Sequence, residues 1–189
     1  MFSYFIAFAA VVAVVFCSPG PRYKHNFADC PAFPNKTDIA PTWWQCTQGL
    51  AITTNTASPS FMNGTAEYPI HLSAPVLITT DIVNSGPALS SLLADISLWE
   101  WGGWLGCSWH SFPTFGLLDN INACTHGTPC PVPAGASKMK TVIDFTPYAP
   151  IIKLLKNAAP YQIQYSLKDH SNGDKVVSCI MFQSEALLQ

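Results

Sequence analysis

The chain has 189 residues, with 9 Lys and Arg against 11 Asp and Glu, a formal net charge of −2, and only 11% charged but 49% hydrophobic residues. From Thr37 to Ser137 there is no Lys or Arg, so no basic patch exists to neutralise a phosphate backbone and nucleic-acid binding is excluded as a class. Six Trp alongside so little charge point to apolar surface that faces something other than bulk water.

The first element is an apolar run from Phe5 to Phe16, FIAFAAVVAVVF, followed by CSPGPR. Its length and the small residues Val15 and Cys17 fit a secretory signal peptide, with cleavage after Cys17, although no Lys or Arg precedes the run. Pro19-Gly20-Pro21 ends the run short of the ~20 apolar residues a membrane span needs. Residues 1–17 are therefore expected to be removed, leaving residues 18–189 as one domain in a secreted or lysosomal compartment. Of the seven cysteines, Cys17 leaves with the signal. The even remainder (Cys30, Cys46, Cys107, Cys124, Cys130 and Cys179) reads as a disulfide framework. Asn35-Lys36-Thr37 and Asn63-Gly64-Thr65 are N-glycosylation acceptors that suit the same compartment.

Further along, short strands are separated by turn residues. YPIHLSAPVLITTDIV alternates through Ile70, Leu72, Ala74, Val76, Ile78, Thr80 and Ile82, and Pro75 within it predicts an edge strand or two shorter strands joined by a bend. ALSSLLA, from Ala88 to Ala94, is compatible with a helical turn. LADISLWEWGGWLGCSW is a second strand region broken at Gly102-Gly103 by a bulge or turn. Within it Glu100 and the more distant Asp95 are too isolated to suggest acid/base chemistry. MKTVIDFTPY is a third region. YQIQYSLKDHSNGDKVVSCIMF predicts a β-hairpin with a polar loop, Tyr161, Ile163, Tyr165 and Leu167 alternating on its first arm. Many strands with Pro and Gly punctuation predict an all-β, immunoglobulin-like two-sheet sandwich.

Between strands lies CTHGTPCPVPAG. No second Cys/His pair with zinc-ligand spacing accompanies it, and C-x-x-C redox spacing is absent, so a structural Cys124–Cys130 staple is expected. Catalysis finds little support. Ser108, His110 and Asp119 are triad residue types, but they crowd one aromatic stretch without a G-x-S-x-G elbow, and the histidines form no His-Glu-x-x-His motif. The sequence thus points to no enzyme, no metal and no cofactor.

The order of parts resembles the ML lipid-recognition domain family, its ganglioside activator branch above all. WWQC around Cys46, WLGCSW around Cys107, CTHGTPCP, and PYAPIIKLLKNAAPYQIQYSL followed by GDKVVSCIMF carry the likeness, which spans most of residues 18–189. The mammalian activator has eight cysteines, so its disulfide set does not transfer whole. The residues alone allow three pairings of the four cysteines outside the staple. The resemblance implies Cys46–Cys179, a tie from first strand to last, and this leaves Cys30 with Cys107.

The resemblance further implies sheets that part around an apolar cavity, a lipid taken from a transiently contacted membrane surface (a glycolipid or sphingolipid), and its presentation to a lysosomal glycosidase. Candidate cavity walls are Ile78, Ile82, Leu98 and Trp101 in the earlier strands, Phe112, Phe115 and Leu118 after them, and Ile143, Phe145, Ile163 and Tyr165 later. Ordinary core packing is the competing reading for each. In PYAPIIKLLKNAAP a connection that should be polar carries Ile151, Ile152, Leu154 and Leu155 interleaved with Lys153 and Lys156. By resemblance this is a mobile lip whose aliphatics dip into lipid while the lysines favour anionic headgroups; a short buried amphipathic helix is the alternative. A secreted immune-recognition or adhesion sandwich, sensing microbial lipid or a receptor, is the alternative function.

Overall fold

A computed structural model describes residues 30–102 and 107–189. The expected signal segment, residues 1–17, lies outside the described residues. The strands, in chain order, are β1 Thr42–Gln45, β2 Ile52–Ser60, β3 Ile70–His71, β4 Val76–Asn84, β5 Leu92–Trp101, β6 Trp109–Phe112, β7 Ile121–Asn122, β8 Gly135–Ile143, β9 Ala159–Asp169 and β10 Lys175–Leu187, with a short α-helix, α1, at Ala149–Ile152 and three 3-10 turns among the described residues.

They form an immunoglobulin-like two-sheet sandwich. One sheet runs β1-β10-β9-β5-β6, with β3 beside β10 and β7 beside β5; the other is β2-β4-β8. All pairings are antiparallel except β3 with β10. The predicted C-terminal hairpin is the spine of the larger sheet, its register running from Lys175 opposite Asp169 to Ala186 opposite Ala159 with one irregularity between Val176 and Ser178. Gly173, at φ 64°, turns the chain where a Cβ would be strained. Pro75 does divide the early alternating run, separating the two-residue β3 from β4. Ala88–Ala94 is not helical. Leu89 bridges Val132 and Leu92 opens β5, because its leucines pack into the interior from extended backbone.

All three disulfides form as expected: Cys30–Cys107, Cys46–Cys179 and Cys124–Cys130. Each ties a different weak point. Cys46–Cys179 holds the end of β1 onto β10, where the Cys46 amide also donates to the Cys179 carbonyl at 3.1 Å. Cys30–Cys107 straps residues 30–37 across the outside of the larger sheet. There the Asn35 amide donates to Gln183 at 2.8 Å, and Gln183 in turn donates to Gln162 at 2.7 Å. That chain of bonds is why two buried glutamines are tolerable on this face. Cys124–Cys130 folds its loop against the free edge of β8. Gly127 sits so close there that a Cβ would fall 1.8 Å from the Val142 carbonyl oxygen, and its own carbonyl accepts from the Val142 amide at 3.0 Å.

The interior divides in two. At one end Ile52, Ile82, Leu92, Val132 and Leu167 pack as a closed core. At the other, Ile70, Leu72, Val76, Leu98 and Tyr161 form a second cluster with partly buried apolar neighbours. The second end is not filled.

Candidate functional site

Two adjoining cavities occupy the looser end of the sandwich, and a third flanks them beside the Cys124–Cys130 loop. The first, of ≈ 90 Å³, lies between the sheets. Most of its wall is every second residue of four strands: Val76, Ile78 and Thr80 from β4, Met139, Thr141 and Ile143 from β8, Tyr161, Ile163 and Tyr165 from β9, and Ile180, Phe182, Ser184 and Ala186 from β10; Ile70, Leu72 and Phe145 complete it. The period of two is the cause, since alternate side chains of a strand share one face. The second cavity, of ≈ 60 Å³, continues past Ile143, Phe145, Tyr161 and Ile163 towards α1, where Ile151, Ile152 and Leu155 close it. The third, of ≈ 230 Å³, opens at the gap between the β8 edge and β5 and shares Ile143 and Tyr165 with the first. Its wall mixes Ile96 and Ile121 with Thr125, His126, Asp144 and Tyr148. No Lys or Arg lines any of the three.

The structure sorts the sequence-predicted residues. Ile78, Ile143, Phe145, Ile163 and Tyr165 line the first cavity, while Leu98 and Leu118 line the second. Ile82 faces inward but belongs to the closed core, and Phe112 is packed against its neighbours and borders none of these three cavities. Trp101 and Phe115 lie outside. On β5 the even residues Leu92, Ala94 and Leu98 point in, so Trp101, an odd number of residues from Leu98, points out. Its indole donates to the Pro31 carbonyl at 2.8 Å and its ring lies against Trp109. Phe115 is 76% exposed, carried outward on a turn at φ 53°.

The proposed lip also needs correction. Ile151 and Leu155 are buried, Ile152 is partly buried, and only Leu154 among the four aliphatics is exposed, at 57%. Tyr161 pins the segment, its hydroxyl accepting from the Lys156 amide at 2.6 Å and donating to the Lys156 carbonyl at 3.1 Å. Desolvation there pushes the Tyr161 phenol above its ordinary value of 10.0. Lys153 and Lys156 are exposed, the latter 3.3 Å from Glu100, a solvent-facing pair of little energetic weight. A buried amphipathic turn thus describes α1 better than a free lip. The exposed apolar side chains at this end include Phe115 and Leu117 from the β6–β7 loop and Leu154, with Phe61 and Met62 on the β2–β3 loop. The β6–β7 loop and the α1 segment meet in the second cavity, whose wall includes both Leu118 and Leu155.

Polar groups near the cavities are few and mostly spent. The Tyr165 hydroxyl lies 3.0 Å from Thr128 Oγ1, and burial pushes its phenol above the ordinary value of 10.0. Thr80 donates to the Met139 carbonyl at 3.3 Å and Ser184 to the Glu185 carbonyl at 2.7 Å. Of the triad residue types, Ser108 Oγ, just before β6, lies 3.1 Å from His110 Nε2 in an exposed contact, and Asp119 is hydrogen-bonded to neither. Asn63 accepts from both the amide and the hydroxyl of Thr65, an exposed local turn that leaves its amide nitrogen to solvent.

Ile70, Leu72, Thr141, Ile180, Phe182 and Ala186 are among the walls of the first cavity that the sequence reading did not name. Period two from Ile180 to Ala186 was available as a signal. The small Ala186 and polar Ser184 weaken it.

No protein-family model matches the chain, and no curated protein matches it in sequence. Among solved structures it is similar to a Niemann-Pick type C2 protein from the Japanese carpenter ant, at 13% identity and a TM-score of 0.44, covering 77% of this chain and 98% of that one. It is also similar to the C-terminal domain of wzt, at 8% identity and 0.39, covering 86% and 85%. Chicken MD-1 complexed with lipid IVa gives 14% identity and 0.37, covering 77% and 88%. Likenesses this distant carry no inference about ligand or activity.

Proposed function

We propose that the protein is a non-catalytic lipid carrier, taking one lipid at a time from a membrane surface into the space between its sheets. The observation that carries this reading is a nearly all-carbon void bounded by alternate residues of β4, β8, β9 and β10, at the end of the sandwich where Phe115, Leu117 and Leu154 stand in solvent. Moving an acyl chain into water costs ~0.8 kcal/mol per CH₂, so a chain of ordinary length crosses only when shielded. An apolar cavity replaces the bilayer interior at small net cost, which keeps loading reversible. Pockets that hold small molecules measure ~300–1,000 Å³. Each void here is smaller, so a lipid occupies more than one, passing the shared side chains Ile143, Phe145 and Tyr165.

Three disulfides support a secreted or lysosomal setting, since such bonds persist in oxidising compartments. Removal of residues 1–17 and a glycan on the exposed Asn63 turn accord with it. For presentation to a lysosomal glycosidase, the support is the resemblance to the ganglioside activator branch alone.

Saturable uptake of a fluorescent lipid at about one per chain tests the carrier reading. Phe145→Asp places a charge in the wall shared by two cavities and should abolish uptake while the disulfides remain intact. Undiminished uptake by that folded variant would show these voids to be packing defects.

A further inference from the structure

The Thr141 side chain is the one oddity in the first cavity. Thr141 is only 5% exposed, lines the cavity from β8, and its hydroxyl has no hydrogen-bond partner. The other hydroxyls lining this cavity have protein partners: Thr80 the Met139 carbonyl, Ser184 the Glu185 carbonyl, Tyr161 the Lys156 carbonyl and Tyr165 the Thr128 hydroxyl. Thr141 alone among them has no hydrogen-bond partner. A strand position opposite Ile78 makes no demand for oxygen; valine has the same shape and β-branching, and beside Met139 and Ile143 would leave the β8 side of the cavity wholly apolar. Buried polar groups are nearly always satisfied, because the hydration they gave up must be replaced.

Resting on the carrier reading, we propose that Thr141 donates a hydrogen bond to the bound lipid. The ligand therefore carries an acceptor oxygen, a carbonyl or a hydroxyl, within its buried part and is not a bare hydrocarbon chain there. The oxygen sits beyond Ile143 as seen from α1, because Ile143 borders both cavities and Thr141 only the inner one. Thr80 and Ser184, having donated their protons elsewhere, keep lone pairs that can receive a hydroxyl of the same lipid. The arrangement selects by penalty as much as by attraction. A plain alkyl chain leaves Thr141 unpartnered in the complex, whereas an ester, amide or alcohol oxygen satisfies it.

The test uses the full chain, with an environment-sensitive naphthalene dye in the cavity and two competitors, 1-monopalmitoylglycerol and octadecane. Thr141→Val should weaken displacement by monopalmitoylglycerol roughly tenfold and leave octadecane unchanged or slightly stronger. Thr141→Ser, which keeps the hydroxyl, should retain the preference for the ester. Without ligand, Thr141→Val should melt at the same temperature as the parent or higher, since it removes an unsatisfied group. Equal losses for both competitors, no loss for the ester, or a lower melting temperature of the empty valine variant would each overturn the assignment. Displacement by neither lipid in the parent protein would instead sink the carrier reading on which the assignment rests.

Discussion

Replacing Ile151 and replacing the pair Phe115 and Leu154 should have opposite consequences, although all three belong to the same end of the molecule. Ile151 is 3% exposed and closes the second cavity against Leu155 and Phe145. Truncation to alanine removes buried methylenes and enlarges a void already present, at a cost of about 2–5 kcal/mol. For a domain of this size each kcal/mol lowers Tm by roughly 2–4 °C, so Ile151→Ala should melt about 4–20 °C lower. Phe115 and Leu154, at 76% and 57% exposure, have little packing to lose. Phe115→Ser with Leu154→Ser should stay within about 1 kcal/mol of the parent. On a membrane the order reverses. Burying an exposed Phe or Leu contributes about 1.5–3 kcal/mol, and with part of each side chain already covered the pair supplies roughly 2–4 kcal/mol. Vesicle partition of the double variant should therefore fall by about thirtyfold or more. Calorimetry and vesicle flotation, run on both variants, read the two effects separately. Unchanged flotation of the serine pair would refute the membrane-facing rim. An Ile151→Ala variant that keeps its melting temperature but leaves the vesicles would refute the buried placement of α1.

The disulfides should rank by the chain they enclose. Loss of Cys46–Cys179, 133 residues apart, removes about 5 kcal/mol on the loop-entropy estimate, against about 2–3 kcal/mol for Cys124–Cys130, six apart; denaturant unfolding of the two double-alanine variants should show the first collapsing well before the second. Gly127→Ala should be among the worst small changes in the chain. At φ 101° its Cβ meets the Val142 carbonyl, so either the staple loop lifts off β8 or the backbone strains. A loss of roughly 2–4 kcal/mol is expected, with faster amide exchange at Val142, whose amide bonds to Gly127. Parent-like exchange there would mean that the loop does not seal this edge.

Local chemistry determined much of this molecule. An alternating apolar run, a proline inside it and a polar eight-residue turn were enough to anticipate β4, the β3–β4 break and the β9–β10 hairpin, because strand periodicity and turn conformation depend on neighbours a few residues away. The staple was legible for the same reason, its cysteines being close in sequence. By contrast β2, ITTNTASPS, went unnamed. It is an edge strand of threonines and serines holding Pro59, and only its pairing with β4 makes it extended structure. Which face of a strand meets the void was also beyond local reading. Leu98 and Trp101 look alike as apolar residues of one segment, yet strand parity sends one inward and the other under the strap of residues 30–37. Ile82 and Ile78 share a face, and their different fates depend on how far the two sheets separate along β4. Ile151, Leu154 and Leu155 likewise form one aliphatic cluster in sequence, and the packing of α1 over the cavity decides which of them solvent reaches. Burial against a distant strand is a non-local quantity: residue type and spacing say what can face a cavity, and the closing of one sheet over the other decides what does.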